Sequence, residues 1–182
     1  AIIALLSPIL AHAHSGHGLH DGLNAGLLHP ITGLDHLLAM LAVGYWAALQ
    51  KHRYASLLPV AFMGGMLAGG LLPSLGVTIG GIEHGIALTV LLLGGLLFWS
   101  VTPRLWISLS VLGVSGALHG FAHGAEVPQQ ASLMLYMLGF SASTCALHLC
   151  GWFLAKKHAA TWINKAIGCA YAITGCVLLF SV

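Results

Sequence analysis

Residues 104–126 read RLWISLSVLGVSGALHGFAHGAE, and this stretch decides the fold. After Arg104 no formally charged side chain appears until Glu126. At 1.5 Å per residue, a helix over this run is long enough to cross a ~30 Å hydrocarbon core. Its last turns carry His119, His123 and Glu126 at i, i+4 and i+7. That spacing puts all three on one face. An ionisable side chain in the bilayer costs ~2.5–3.5 kcal/mol even on the lenient scale, so it turns inward and serves a purpose.

The rest of the chain agrees. Of 182 residues, 58% are hydrophobic and 5% charged. A soluble domain carries about 25% charged residues, and the six basic and four acidic side chains here cannot cover a globule of this size. The composition predicts an all-α, polytopic membrane bundle. Six apolar segments can be drawn, at 24–50, 55–75, 79–101, 104–126, 130–155 and 160–181. They are separated by breaks that contain Lys51-His52-Arg53, Pro73-Ser74, Thr102-Pro103-Arg104, Val127-Pro128-Gln129 and Lys156-Lys157-His158. Proline and charge end such helices. A net charge of +2 gives no ground for nucleic-acid binding. No Walker A pattern is present, so nucleotide hydrolysis is not expected.

Lys51, Arg53, Arg104, Lys156, Lys157 and Lys165 all fall in connections on one side of this arrangement. By the positive-inside rule that side is the cytoplasm, and both termini are expected in the periplasm of a bacterial inner membrane. Residues 1–13 read as a signal-peptide-like apolar run ending in Ala11-His12-Ala13. Residues 14–23 follow as a His-rich periplasmic segment, and 24–182 as the transmembrane domain. Glycines at four-residue spacing, Gly65/Gly69, Gly81/Gly85 and Gly116/Gly120/Gly124, predict close helix packing. Cys145, Cys150, Cys169 and Cys176 form no Cys-x-x-Cys pair and are read as packing residues, as are Met63, Met66, Met134 and Met137.

Twelve histidines are the most unusual feature of the composition. Each of the four acids has one within three residues: Asp21 with His20, Asp35 with His36, Glu83 with His84, Glu126 with His123. Imidazole with carboxylate suits first-row divalent metals. The first segment reads His29-Pro-Ile-Thr-Gly-Leu-Asp-His36, with Met40 one turn further. His29 and His36 share a face if the helix is continuous. Asp35 points about 100° from His36 on an ideal helix. It is therefore a direct ligand only if Pro30 and Gly33 distort the stretch, and otherwise supports a histidine of a neighbouring helix. The expected metal set is His29, Asp35, His36, Glu83, His84, His119, His123 and Glu126, converging from three helices in the periplasmic half. His148 and Met40 mark an inner station, or His148 caps an inter-helix hydrogen bond. His12, His14, His17, His20 and Asp21 would capture ions at the periplasmic surface. His52 and His158 stand beside basic residues and read as interfacial.

His29-Pro30, Gly33, Asp35-His36, Met40 and Gly44 resemble the first-helix signature of the HupE/UreJ family of nickel/cobalt transporters. Gly81-Ile82-Glu83-His84-Gly85 and His119-Gly120-Phe121-Ala122-His123-Gly124-Ala125-Glu126 resemble its later motifs. Five residues separate His29 from Asp35-His36, where the separate nickel/cobalt permease family has four. The resemblance implies a secondary transporter with Ni²⁺ or Co²⁺ as transported substrate, the lipid bilayer as surroundings and no cofactor. It leaves homo-oligomerisation open. The rival readings are an intramembrane metal-dependent redox enzyme and a haem-binding electron carrier with paired axial histidines such as His36 and His84.

Overall fold

In the computed structural model, residues 19–158 and 160–181 are described. Among them the fold is all helical: α1 (Leu19–Thr32), α2 (Leu34–Leu49), α3 (Leu57–Leu71), α4 (Ile82–Phe98), α5 (Leu105–Ala125), α6 (Leu133–His158) and α7 (Thr161–Leu179). A 3₁₀ turn, Pro73–Leu75, extends α3. Four helices are long and apolar enough to cross a membrane: Leu57–Leu75, Leu105–Ala125, Leu133–His158 and Thr161–Leu179. α4 is apolar but has 17 residues. The expected first span is not one helix. It is broken at Gly33, and Gly22–Thr32 meets Leu34–Leu49 at 81°. Gly33 adopts an extended backbone (φ −90°, ψ 118°), so the helical ladder fails there, while Pro30 lies within α1, which continues to Thr32. α1 also starts five residues before the expected boundary, taking His20 and Asp21 into a helix.

Without water to drive apolar faces together, membrane helices associate through close contact of small residues. Glycine builds three such blocks here. In the first, Gly65 and Gly69 of α3 rest on the backbone carbonyls of Gly113 and Ala117, while Gly116, Gly120 and Gly124 of α5 rest on those of Phe62, Met66 and Gly70. In the second, Gly26 and Gly139 join α1 to α6, and Gly44 and Gly151 join α2 to α6. In the third, Gly94, Gly168 and Gly175 join α4 to α7. The Gly81/Gly85 pair does not belong to a stripe. Gly81 has φ +70° and turns the chain into α4, and Gly85 meets only the Leu118 side chain at ordinary distance.

α2 lies at the centre, with Ala39, Met40 and Ala42 through Ala47 all buried. The core adds Phe62, Met66, Leu93, Leu97, Leu112, Tyr136 and Phe140. Trp46 Nε1 donates to the carbonyl of Val101, and the Tyr45 hydroxyl donates to Asn164 Oδ1. These bonds gather the α2–α3, α4–α5 and α6–α7 connections at one end of the bundle. That end carries all six Lys and Arg residues. His52 is exposed there and accepts the backbone N–H of Tyr54. All four cysteines are free and exposed, and Met134 is 74% exposed, so these five do not pack the core. Thiols and thioethers are apolar enough to face lipid, which removes the reason to expect them inside.

Gly64 and Gly65 give a direct test. A Cβ on Gly65 would meet the Gly113 carbonyl, while one on Gly64 meets nothing within 4 Å. Gly65→Ala is expected to destabilise the fold by about 1–3 kcal/mol or more through overpacking, read as a lower thermal midpoint in detergent. Gly64→Ala should leave it unchanged or raise it slightly.

Candidate functional site

At the end of the bundle away from the basic residues, four imidazoles meet. His29 comes from the last turn of α1, His36 from the first turn of α2, and His119 and His123 from one face of α5. Ring centroids lie 4.4 Å apart for His36 and His123, 4.7 Å for His29 and His123, 4.9 Å for His36 and His119, and 6.0 Å for His29 and His36. His36, His119 and His123 are buried, at 6%, 0% and 0% exposure. The break at Gly33 makes the assembly compact. In a straight helix His29 and His36 would be separated by about 10.5 Å of rise.

Oxygen partners set which nitrogen of three rings carries the proton. Asp35 Oδ1 accepts from His36 Nδ1 at 2.8 Å and also from the His36 backbone N–H at 2.8 Å. A carboxylate can only accept, so a proton is on Nδ1, and in the neutral ring the lone pair is on Nε2. The Thr89 hydroxyl, in α4, donates to the Ile86 carbonyl at 2.7 Å. Its oxygen is then the acceptor for His119 Nε2 at 2.8 Å, which leaves the His119 lone pair on Nδ1. His29 Nε2 meets Glu126 Oε2 at 2.9 Å. Glu126 accepts the Nε2 proton of His29, and the bond holds the Glu126 carboxyl below the usual carboxylate range. His36 Nε2, His119 Nδ1 and both nitrogens of His123 are buried without a hydrogen-bond partner. Native interiors rarely leave such nitrogens unpaired, because each costs ~1–3 kcal/mol.

Around these rings Phe140 stacks on His123 at 4.8 Å and 17°, and Tyr136 stands 5.8 Å from His29. Among the described residues no three His, Cys, Asp or Glu donors converge on one point at metal-binding distance. The imidazoles stand edge to face instead, at interplanar angles of 60° to 84°. A cavity of about 330 Å³ lies elsewhere, toward the basic end, lined by Leu41, Tyr45, Leu97, Leu154, Ile167 and Tyr171 among others.

Of the expected set, the structure brings together His29, Asp35, His36, His119, His123 and Glu126. Glu83 and His84 are exposed on the first turn of α4 and make no ring contact or hydrogen bond with the cluster. Asp35 supports its own neighbour, His36, rather than a histidine of another helix. This follows from its place in the first turn of α2, where the helix end leaves the His36 N–H free and favours negative charge. His148 and Met40 do meet, but through the Met40 carbonyl rather than its sulfur. His12, His14 and His17 lie outside the described residues, and only the backbone of His20 and Asp21 is described. Thr89 and Tyr136 had no signal in the sequence beyond being polar groups in apolar runs.

Four clustered imidazoles, three of them buried, at the non-basic end of a bundle of apolar helices mark the chain as a multi-pass integral membrane protein with polar groups turned inward. Comparison with known proteins makes the assignment specific. Residues 2–178 match the family described as HupE / UreJ protein, and the chain belongs to that family. It is 40% identical over 182 residues to Protein HupE of Rhizobium leguminosarum bv. viciae, covering 98% of this chain and 94% of that protein. No solved structure matches the chain.

Thr89→Val removes the oxygen that fixes His119. The expected outcome, read by ¹⁵N NMR of histidine ring nitrogens, is a single Nε2–H tautomer for His119 in the parent and a mixture in the variant. An unchanged His119 spectrum would disprove the assigned bond.

Proposed function

We propose that this protein is a secondary transporter that takes up divalent transition-metal ions, Ni²⁺ or Co²⁺, across the bacterial inner membrane. The observation that carries this reading is the set of buried, unpartnered imidazole nitrogens on His36, His119 and His123. Asp35 and Thr89 turn two of them into ligands of defined tautomer, which is how oriented histidines receive a metal. Neutral imidazoles favour nickel or cobalt over Mg²⁺ and Ca²⁺, which prefer oxygen. Asp35 and Glu126 offset part of the ion's charge where the surroundings are apolar.

Transport begins with histidines near the periplasmic N-terminus, His12, His14, His17 and His20 with Asp21, capturing the hydrated ion. Glu126 is 50% exposed and His29 is 27% exposed, so this pair forms the mouth. Glu83 and His84, exposed on α4, join the capture surface rather than the buried set. The ion sheds water, parts the His29–Glu126 pair and enters among His36, His123 and His119. Small rotations of rings that stand edge to face would turn their free nitrogens onto it. A cytoplasm-negative potential favours inward movement by about 2.3 kcal/mol per charge per 100 mV, roughly doubled for a divalent ion. That supports uptake without nucleotide hydrolysis, with the metal as substrate rather than cofactor. The haem reading gains nothing from the geometry: His36 is buried among imidazoles, while its expected partner His84 is exposed.

His36→Ala or Asp35→Ala should reduce nickel or cobalt accumulation in cells to the level without the protein, at unchanged membrane abundance. Wild-type accumulation in either variant would refute the assigned site.

A further inference from the structure

Below His119, toward the basic end, stands the ring of Phe62. Its centroid is 5.6 Å from that of His119 and 5.4 Å from that of His148 on α6. Phe62 is fully buried and His148 is 3% exposed. His148 Nδ1 lies 2.7 Å from the carbonyl oxygen of Met40. A carbonyl only accepts, so Nδ1 carries the proton and Nε2 the lone pair. Nε2 is buried and has no partner. A side chain needed only to tie α6 to α2 would require one donor, and the second buried nitrogen then adds cost without return.

The neighbours of His148 are also chemically suited to a metal. Thr144, one turn before it on α6, points its hydroxyl at Met66 Sδ, 3.8 Å away. Met66 is one turn from Phe62 on α3, so the Phe62/Met66 face of α3 meets the Thr144/His148 face of α6. Thr144 and Met66 are both fully buried. Thioether sulfur and hydroxyl oxygen therefore stand one turn from the Phe62/His148 contact, on the side of the outer cluster, and neither side chain is a carboxylate.

We propose that His148, with Met66 and Thr144 one turn away on the facing helices, is an inner cation station that receives a divalent transition-metal ion from His119 past the ring of Phe62. The proposal rests on the transport reading of the outer cluster. The outer cluster holds two carboxylates and binds the ion more firmly. The inner station has only neutral donors and holds it weakly enough to release toward the cytoplasm, as conduction through successive sites requires. Imidazole and thioether keep the preference for nickel or cobalt over hard cations. The face of Phe62 offers a passing cation an attractive contact rather than a bare apolar wall.

The test is nickel uptake into liposomes holding the full chain, under an inside-negative potential, alongside nickel binding to the same protein in detergent. His148→Asn keeps an amide hydrogen for the Met40 carbonyl and deletes the distal nitrogen. Uptake is expected to fall roughly tenfold or more, with nickel affinity of the outer cluster unchanged. Uptake at the parent rate would overturn the proposal, leaving His148 as a tie between helices. Loss of outer binding together with uptake would overturn it too, because the effect would then be structural. If His148→Asn does not fold, Met66→Leu preserves volume and removes the sulfur. Severalfold slower uptake then supports the station, and the parent rate overturns it. A parent protein that moves no nickel or cobalt sinks the transport reading itself, an outcome distinct from all of these.

Discussion

An imidazole in an apolar interior has two nitrogens and one proton, and an oxygen acceptor decides where that proton stays. The site depends on this constraint. Asp35, Thr89, Glu126 and the Met40 carbonyl each engage one nitrogen of a different histidine and, in the neutral ring, leave the other as a lone pair. In water these choices would be worth little, because solvent satisfies either tautomer. In a buried cluster they separate a ring that presents a hydrogen from one that presents a ligand. The oxygens come from three kinds of group and several helices, so the cluster is specified by the whole bundle rather than by one motif.

Much of this was legible in the sequence because it follows from periodicity and from the cost of charge in lipid. His119, His123 and Glu126 share a helix face by spacing alone. Gly65/Gly69 and Gly116/Gly120/Gly124 marked close helix packing, since only residues without a side chain permit backbones to touch, but not that α3 and α5 are the partners. Helix ends were set by proline and basic residues. The bend at Gly33 was readable as a weakness but not as an angle, because the direction of a broken helix is set by what packs on each half. The pairing of Asp35 with His36 rather than with another helix depends on that bend. Thr89 was silent because one hydroxyl in an apolar run has many uses. The cysteines and Met134 were misread because exposure to lipid, unlike exposure to water, leaves no compositional trace. Glu83-His84 shows the converse: residue type marked it as part of the set, but its position at a helix start places it outside the buried rings.

The distribution of charge gives the molecule a direction. Six basic side chains lie at one end. Asp35, Glu83 and Glu126 lie toward the other, on the elements that carry or border the histidine cluster. A cation approaching the acidic end meets favourable potential before it reaches any buried group. Between His119 and the basic end the described residues include no Asp, Glu, Lys or Arg buried in the bundle.

The glycine contacts bear on which parts of the bundle can move. α3 and α5 touch backbone to backbone over successive turns, and α1 and α2 are welded to α6 in the same way. Neither weld can slide by a fraction of a turn without a carbonyl striking a Cα, so each behaves as a rigid plank. Between the two planks the contact is made by side chains, with Phe62 and Met66 on one bank and His148 and Thr144 on the other. The imidazoles are divided along the same seam, His119 and His123 on one plank, His29 and His36 on the other. Rocking the planks apart would draw the cluster open along its middle while leaving each half intact.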